Sequence, residues 1–230
     1  MLSMNEGHVR VHPSPRTAIR RRASKVANLW IFDSPKNSCR LTVVGDVPFM
    51  HLVLLEGRPQ VLRYQLIGDP FNVMGATRDS LLPGYVRVEN ADSPEMWLHI
   101  KRSAIREGRA LAGKQAGEAV RAAALAAGAT YAEYTEIDLQ GRETEFENWL
   151  ILCACITRAK GHPDYIERAT FAEAFVTNRT VSVRTLLAAS EVDPAIMLAV
   201  IAKSLQQGLA ITELQRSVFG LDSLIQWRRT

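Results

Sequence analysis

Polar and apolar positions alternate along Val61-Leu62-Arg63-Tyr64-Gln65-Leu66, the period of a half-buried strand. Two further apolar segments, Tyr85–Val88 and Met96–Lys101, flank a polar stretch rich in Asn, Asp, Ser and Pro, which predicts a β-hairpin. Upstream, Arg40–Val44 reads as a strand and Phe49–Leu55, after Gly45 and Pro48, as a short helix. An Ala-rich helix is expected over Ile105–Ala127 with Gly128 as its stop, although Gly108, Gly113 and Gly117 weaken its early turns. A strand over Ala129–Thr135 and a helix over Thr144–Ala159 follow, the latter with Glu145 and Glu147 suiting the positive end of the helix dipole. Alternation on the second hairpin strand puts Trp97, His99 and Lys101 on one face and Leu98 and Ile100 on the other.

From about Asp164 the period becomes helical. Helices are expected over Tyr165–Phe175, Ser182–Ala189 and Pro194–Gln207, with Asp193 as N-cap, Pro194 at the first helical position and Gly208 as the end of the third. Leu209–Leu214 and Leu224–Arg228 read as two short wing strands. The fold class expected is α/β: a restriction-endonuclease-like core, a mixed sheet flanked by helices, followed by a helical, winged-helix-like C-terminal domain. The organisation expected is a basic arm over 1–28, the core over 29–163 and the C-terminal domain over 164–230.

Charge adds a polarity to this layout. Residues 1–40 hold eight Lys and Arg against Glu6 and Asp33, a net +6, which leaves −2 for the rest of a chain whose total is +4. An arm carrying Arg16, Arg20, Arg21, Arg22 and Lys25 can neutralise phosphates and release counterions, so DNA is an expected partner; a solvated tail is the alternative. With 230 residues, 47% of them hydrophobic, the chain can bury one sizeable core or two small ones. The apolar run Trp149–Ile156 is far short of the roughly 20 residues that span a bilayer, so no membrane segment is expected. The N-terminus shows no apolar signal-peptide region, and a cytoplasmic location is expected. Cys39, Cys153 and Cys155 form no disulfide framework; a metal site from Cys153, Cys155 and His162 lacks a fourth ligand, and core packing is the expected role.

Several stretches in order resemble the TnsA-like transposon endonucleases. They are Ser34-Pro35-Lys36-Asn37, the apolar helix Phe49–Leu55, the turn Leu55-Glu56-Gly57-Arg58-Pro59-Gln60-Val61, the strand starting at Pro83, the strand ending at Lys101, the Ala-rich helix, Tyr134-Thr135-Glu136-Ile137 and Asn148 opening the next helix. The resemblance covers most of residues 34–230 and rests on the ordered set. It implies a PD-(D/E)xK core, in which carboxylates hold Mg²⁺ and a lysine orients the attacking water or stabilises charge.

Matched residue by residue, this chain departs from that pattern. The family's helical glutamate falls on Pro48, its strand aspartate on Gly84 and its acid or glutamine two before the lysine on His99; Lys101 alone is retained. Proline and glycine offer no ligand atom, and histidine is a poor substitute for an oxygen ligand of Mg²⁺. A degenerate, non-cleaving site with no cofactor is therefore expected. His99 is expected to be packed or hydrogen-bonded rather than a zinc ligand. The resemblance implies a transposition accessory protein that binds DNA or bridges a transposase subunit and an AAA+ regulator, the last through the C-terminal domain. Two alternatives stay open: an active Mg²⁺ nuclease nicking transposon 5′ ends with a displaced acid such as Asp46 or one of Glu89, Asp92 and Glu95, and a DNA-binding regulator.

Overall fold

The computed structural model describes residues 28–67, 85–100 and 107–228, the side chains of 107–116 excepted. The chain enters through an antiparallel hairpin, β1 (Leu29–Ser34) and β2 (Cys39–Val44), in register from Leu29↔Val44 to Ser34↔Cys39. Helix α1 (Asp46–Glu56) follows Gly45, whose φ of 102° is a left-handed value that glycine adopts without a Cβ penalty. Eight of its eleven residues are buried, so α1 is an internal helix with no solvent stripe.

A four-stranded sheet in the order β3-β4-β5-β6 forms the centre: β3 (Val61–Ile67), β4 (Tyr85–Asn90), β5 (Met96–Ile100) and β6 (Thr130–Tyr134). The first three strands are antiparallel, while β6 runs parallel to β5 after the crossover helix α2 (Glu107–Ala126). Gly128, φ 71°, ends α2 as expected: Ala129 N–H reaches Ala124 O at 2.9 Å and Gly128 N–H reaches Leu125 O at 3.1 Å, a Schellman closure. The α2 side of the sheet packs Val120 and Ala124 against Tyr85, Trp97 and Ala129. The opposite side packs α1 and α3 (Glu143–Arg158) against Val86, Val88, Leu98 and Ile100.

The C-terminal elements are α4 (Tyr165–Thr177), β7 (Thr180–Ser182), α5 (Val183–Leu187), α6 (Pro194–Gln206), β8 (Ala210–Ile211) and β9 (Leu224–Trp227), with a small antiparallel sheet ordered β7-β9-β8. Asp193 caps α6 as read from the sequence, its Oδ1 accepting from Ala195 N–H at 2.8 Å and Ile196 N–H at 3.2 Å. Gly208, φ 72°, closes the helix in the same way as Gly128. Helix α6 packs along α3, and one cluster of buried side chains runs from Phe32 and Leu41 through Trp149 and Leu152 to Met197 and Ile225.

Several boundaries differ from the sequence pattern. Strands β1 and β7 carried no expectation: β1 reads as a plain apolar run, and three residues are too few to show a period. The expected helix from Ser182 begins at Val183, because Ser182 ends β7 and its Oγ caps α5 by accepting from Thr185 N–H at 3.1 Å. The wing strand expected over Leu209–Leu214 shrinks to Ala210–Ile211. The first turn of α3 holds Glu143 and Glu145, with Glu147 beyond it. Among the described residues no helix is long and apolar enough to cross a membrane.

Candidate functional site

His99 lies near the end of β5, 1% exposed, on the face covered by α2. Parallel pairing sets His99 beside Glu133 and Trp97 beside Tyr131, so the strand period brings all four side chains to that face. Tyr131 donates its hydroxyl hydrogen to Glu133 Oε1 at 2.5 Å, and its oxygen lies 3.4 Å from His99 Nδ1. With that hydrogen committed to Glu133, the phenol oxygen is left to accept, a role that a hydrogen on His99 Nδ1 would match. Burial, then the Glu133 carboxylate, pushes the Tyr131 hydroxyl well above its ordinary range, so it stays protonated. Gly117 of α2 makes room for the cluster: a Cβ there would stand 2.6 Å from Glu133 Oε1, 3.0 Å from the Tyr131 hydroxyl and 3.2 Å from His99 Nδ1.

The other positions of the expected metal site divide between the two faces and the residues not described. Gly84 and Lys101 lie outside the described residues, as do Arg16, Arg20, Arg21, Arg22 and Lys25 of the arm. Pro48 sits buried in the first turn of α1, where a missing N–H costs nothing. Asp46 opens the same helix, and its Oδ1 accepts from Asn28 Nδ2 and from Trp30 Nε1, both at 2.8 Å, tying α1 to the entry of β1. The hairpin acids Glu89 and Glu95 are held by arginines. Glu89 pairs with Arg63, and Glu95 accepts both ends of the Arg87 guanidinium at 3.0 and 2.6 Å and the Trp97 Nε1–H at 2.5 Å. Hydrogen bonds from Arg87 outweigh burial and hold Glu95 below its ordinary range. Asp92 is the one of the three exposed in the turn. Among the described residues no group of three or more His, Cys, Asp or Glu side chains is placed to hold a metal ion.

Glu56 is the buried acid that sequence reasoning noted only as part of the turn motif. Fully buried at the end of α1, its Oε1 accepts from Ser34 Oγ and from the Tyr64 hydroxyl at 2.7 Å. Its Oε2 accepts from Lys36 N–H and from Gln206 Nε2, both at 3.0 Å. Burial pushes the carboxyl above its ordinary value, and the donors together with the Lys36 ammonium pull it partly back. Lys36 turns its Nζ to Arg58 O at 3.0 Å and to Val61 O, and Asn37 Oδ1 accepts from Tyr64 N–H at 3.0 Å. The Ser34–Asn37 turn thus satisfies outer backbone groups of β3 and guards that sheet edge. Glu56 and Gln206 join the central core to the end of α6.

The C-terminal elements are equally committed. Eight of the thirteen α6 residues are buried, and the loop between β8 and β9 is bound to α3 by Asn148, which donates to Leu214 O and Ser217 O at 2.8 Å and accepts from Phe219 N–H at 2.7 Å. Expected to open α3, Asn148 lies further along it and serves the fold instead. Arg184 pairs with Asp222 and Lys203 with Asp164, while Arg216 and Arg228 make no ion pair among the described residues. A cleft of about 350 Å³ runs between Gly57, Pro59 and Trp149 on one side and β8 and Arg228 on the other. In comparisons with known proteins, the chain matches no protein-family model and no curated sequence.

Proposed function

We propose that this chain is a DNA-associated accessory protein of a transposition-like system, built on a nuclease-type core that does not cut, in which the C-terminal elements meet protein partners. The observation that carries the reading is His99: it stands where a metal-binding acid is expected and is buried under α2, hydrogen-bonded to a tyrosine whose own hydrogen is committed to Glu133. The element order supports the core assignment, with a buried helix, three antiparallel strands, a crossover helix on the other face and a parallel fourth strand. The sequence α4-β7-α5-α6-β8-β9 with sheet order β7-β9-β8 supports a winged-helix-like reading of the C-terminal part. In such a unit the last helix before the wing enters the DNA groove. Here that helix is core and the loop beside it is pinned by Asn148, which favours protein contact, with the transposase and an AAA+ regulator as the partners implied by the resemblance. DNA contact falls to the basic arm.

Incubation of the protein with supercoiled and transposon-end DNA in Mg²⁺ or Mn²⁺, with and without its transposase, tests the reading. No nicking is expected, and deletion of residues 1–28 is expected to weaken DNA binding and flatten its salt dependence by about 0.9 in the log-log slope per lost phosphate contact. Metal-dependent nicking that disappears in Lys101→Ala would overturn it.

A further inference from the structure

His51 occupies the middle of α1 and is 1% exposed. Its Nε2 lies 2.9 Å from Thr135 O, just past the end of β6. A carbonyl can only accept, so Nε2 carries the hydrogen and the neutral ring leaves Nδ1 as a bare lone pair. That Nδ1 is, among the described residues, the one buried side-chain nitrogen or oxygen without a hydrogen-bond partner. The ring packs on Tyr134 with centroids 4.9 Å apart.

The groups facing the imidazole make a second proton unwelcome. Arg58, from the turn after α1, sets its guanidinium 5.0 Å from the Tyr134 ring centre and donates to the Tyr134 hydroxyl. Arg142, ahead of α3, adds a second positive charge, and Asp138 is the opposing carboxylate. Asp138 is already engaged, accepting from Thr135 N–H at 2.7 Å and Thr135 Oγ1 at 2.9 Å. A proton on Nδ1 would therefore create a buried N–H without an acceptor and place a second cation on a ring that already holds Arg58.

We propose that His51 is an acid-sensitive latch that fastens the end of β6 to α1, closed while the imidazole is neutral and released when it takes a proton. Burial holds the imidazole below its ordinary value of 6.5, with Thr135 and Asp138 opposing. A histidine so shifted contributes full stability above pH 6.5 and loses it as pH falls through the folded value. Among the described strands β6 lies at the edge of the sheet and carries Tyr131 and Glu133, so loosening its end also loosens the cluster around His99. The device thus sets whether that face of the sheet is closed.

Hydrogen–deuterium exchange of the full chain at pH 7.5 and 5.0, corrected for intrinsic rates, reads the latch directly. Residues 130–139 of the wild type are expected to lose protection about tenfold for each pH unit from 6.5 down to the folded pKa and to level off below it, ahead of β3 and β4, and His51→Gln, which keeps a donor for Thr135 O but cannot titrate, is expected to remove the difference. Equal protection of 130–139 at the two pH values in the wild type would overturn the proposal, as would an unchanged pH response in His51→Gln.

Discussion

Replacing Glu56 by glutamine changes one atom and tests whether the buried acid is chosen for its two all-accepting oxygens. Four donors converge on the carboxylate, two on each oxygen. If the new amide nitrogen takes the Oε2 position it faces the Lys36 N–H, a backbone donor that cannot turn away, and Gln206 can flip its amide but Lys36 is stranded. If it takes the Oε1 position it faces Ser34, whose Oγ already accepts from Asn37 N–H at 3.2 Å and Asn37 Nδ2 at 2.9 Å. Tyr64 can rotate to accept, but the Ser34 hydrogen loses its acceptor. Either orientation leaves one buried donor unmade, a cost of about 1–3 kcal/mol. For a chain of this length that corresponds to roughly 2–4 °C in Tm per kcal/mol. Glu56→Ala removes all four acceptors and the counter-charge of Lys36, and is expected to cost about 3–5 kcal/mol, a large share of a total stability of about 5–15 kcal/mol. Urea denaturation at pH 7, followed by circular dichroism, measures both. A Glu56→Gln variant as stable as the wild type would show that the donors relax freely, and the reasoning from satisfied hydrogen bonds would fail.

Two other substitutions probe the packing around the same junction. In Gly57→Ala, whose φ of −81° suits alanine, the new Cβ would lie 2.2 Å from Trp149 Nε1, so the loss is steric and is expected at about 1–3 kcal/mol in the denaturation midpoint, with a shift in indole fluorescence; an unchanged midpoint would mean that Trp149 has room to move. Asn148→Ala strands the Phe219 N–H and leaves two carbonyls without their donor, at roughly 1–3 kcal/mol for each group that water cannot reach, and is expected to speed proteolysis between residues 212 and 223; cleavage at the wild-type rate would refute the anchoring role.

Periodicity carried the sequence reading furthest where the code is local. The hairpin, the face shared by Trp97 and His99, the two glycine helix ends and the Asp193–Pro194 cap each depend on residues a few positions apart, and the structure agrees with them. What stayed hidden depends on pairing across the chain. Glu133 reaches His99 because β6 runs parallel to β5 in one register, and a slip of one residue would have sent Glu133 to the other face. Tyr131 and Glu133 do alternate on β6, a signal that could have grouped them, but nothing local assigns their neighbour. Glu56 meets Gln206 across most of the chain length, so its four-donor surroundings left no trace in the turn motif itself. Strand β1 was hidden for a different reason: as a plain apolar run it shows no period, and its partner β2 follows only after a turn at Pro35–Ser38 in which Ser38 takes φ 51°.

These long-range contacts converge on α1, and that explains why this helix holds no free acid. A nuclease of the expected type needs a carboxylate there whose oxygens are left free to face a metal. Here Pro48 is buried in the first turn, His51 is bonded to the end of β6 and Glu56 is locked by Ser34, Lys36, Tyr64 and Gln206. An internal helix can carry polar groups only where fixed partners meet them, because an unpaired buried carboxylate is far costlier than a paired one. Each polar residue of α1 past its first turn has therefore been spent on joining elements: His51 joins α1 to β6, and Glu56 joins the central sheet to α6. A helix used in that way ties the sheet, its edge strand and the C-terminal helices into one body, a rigidity that the proposed bridging role would ask of a scaffold.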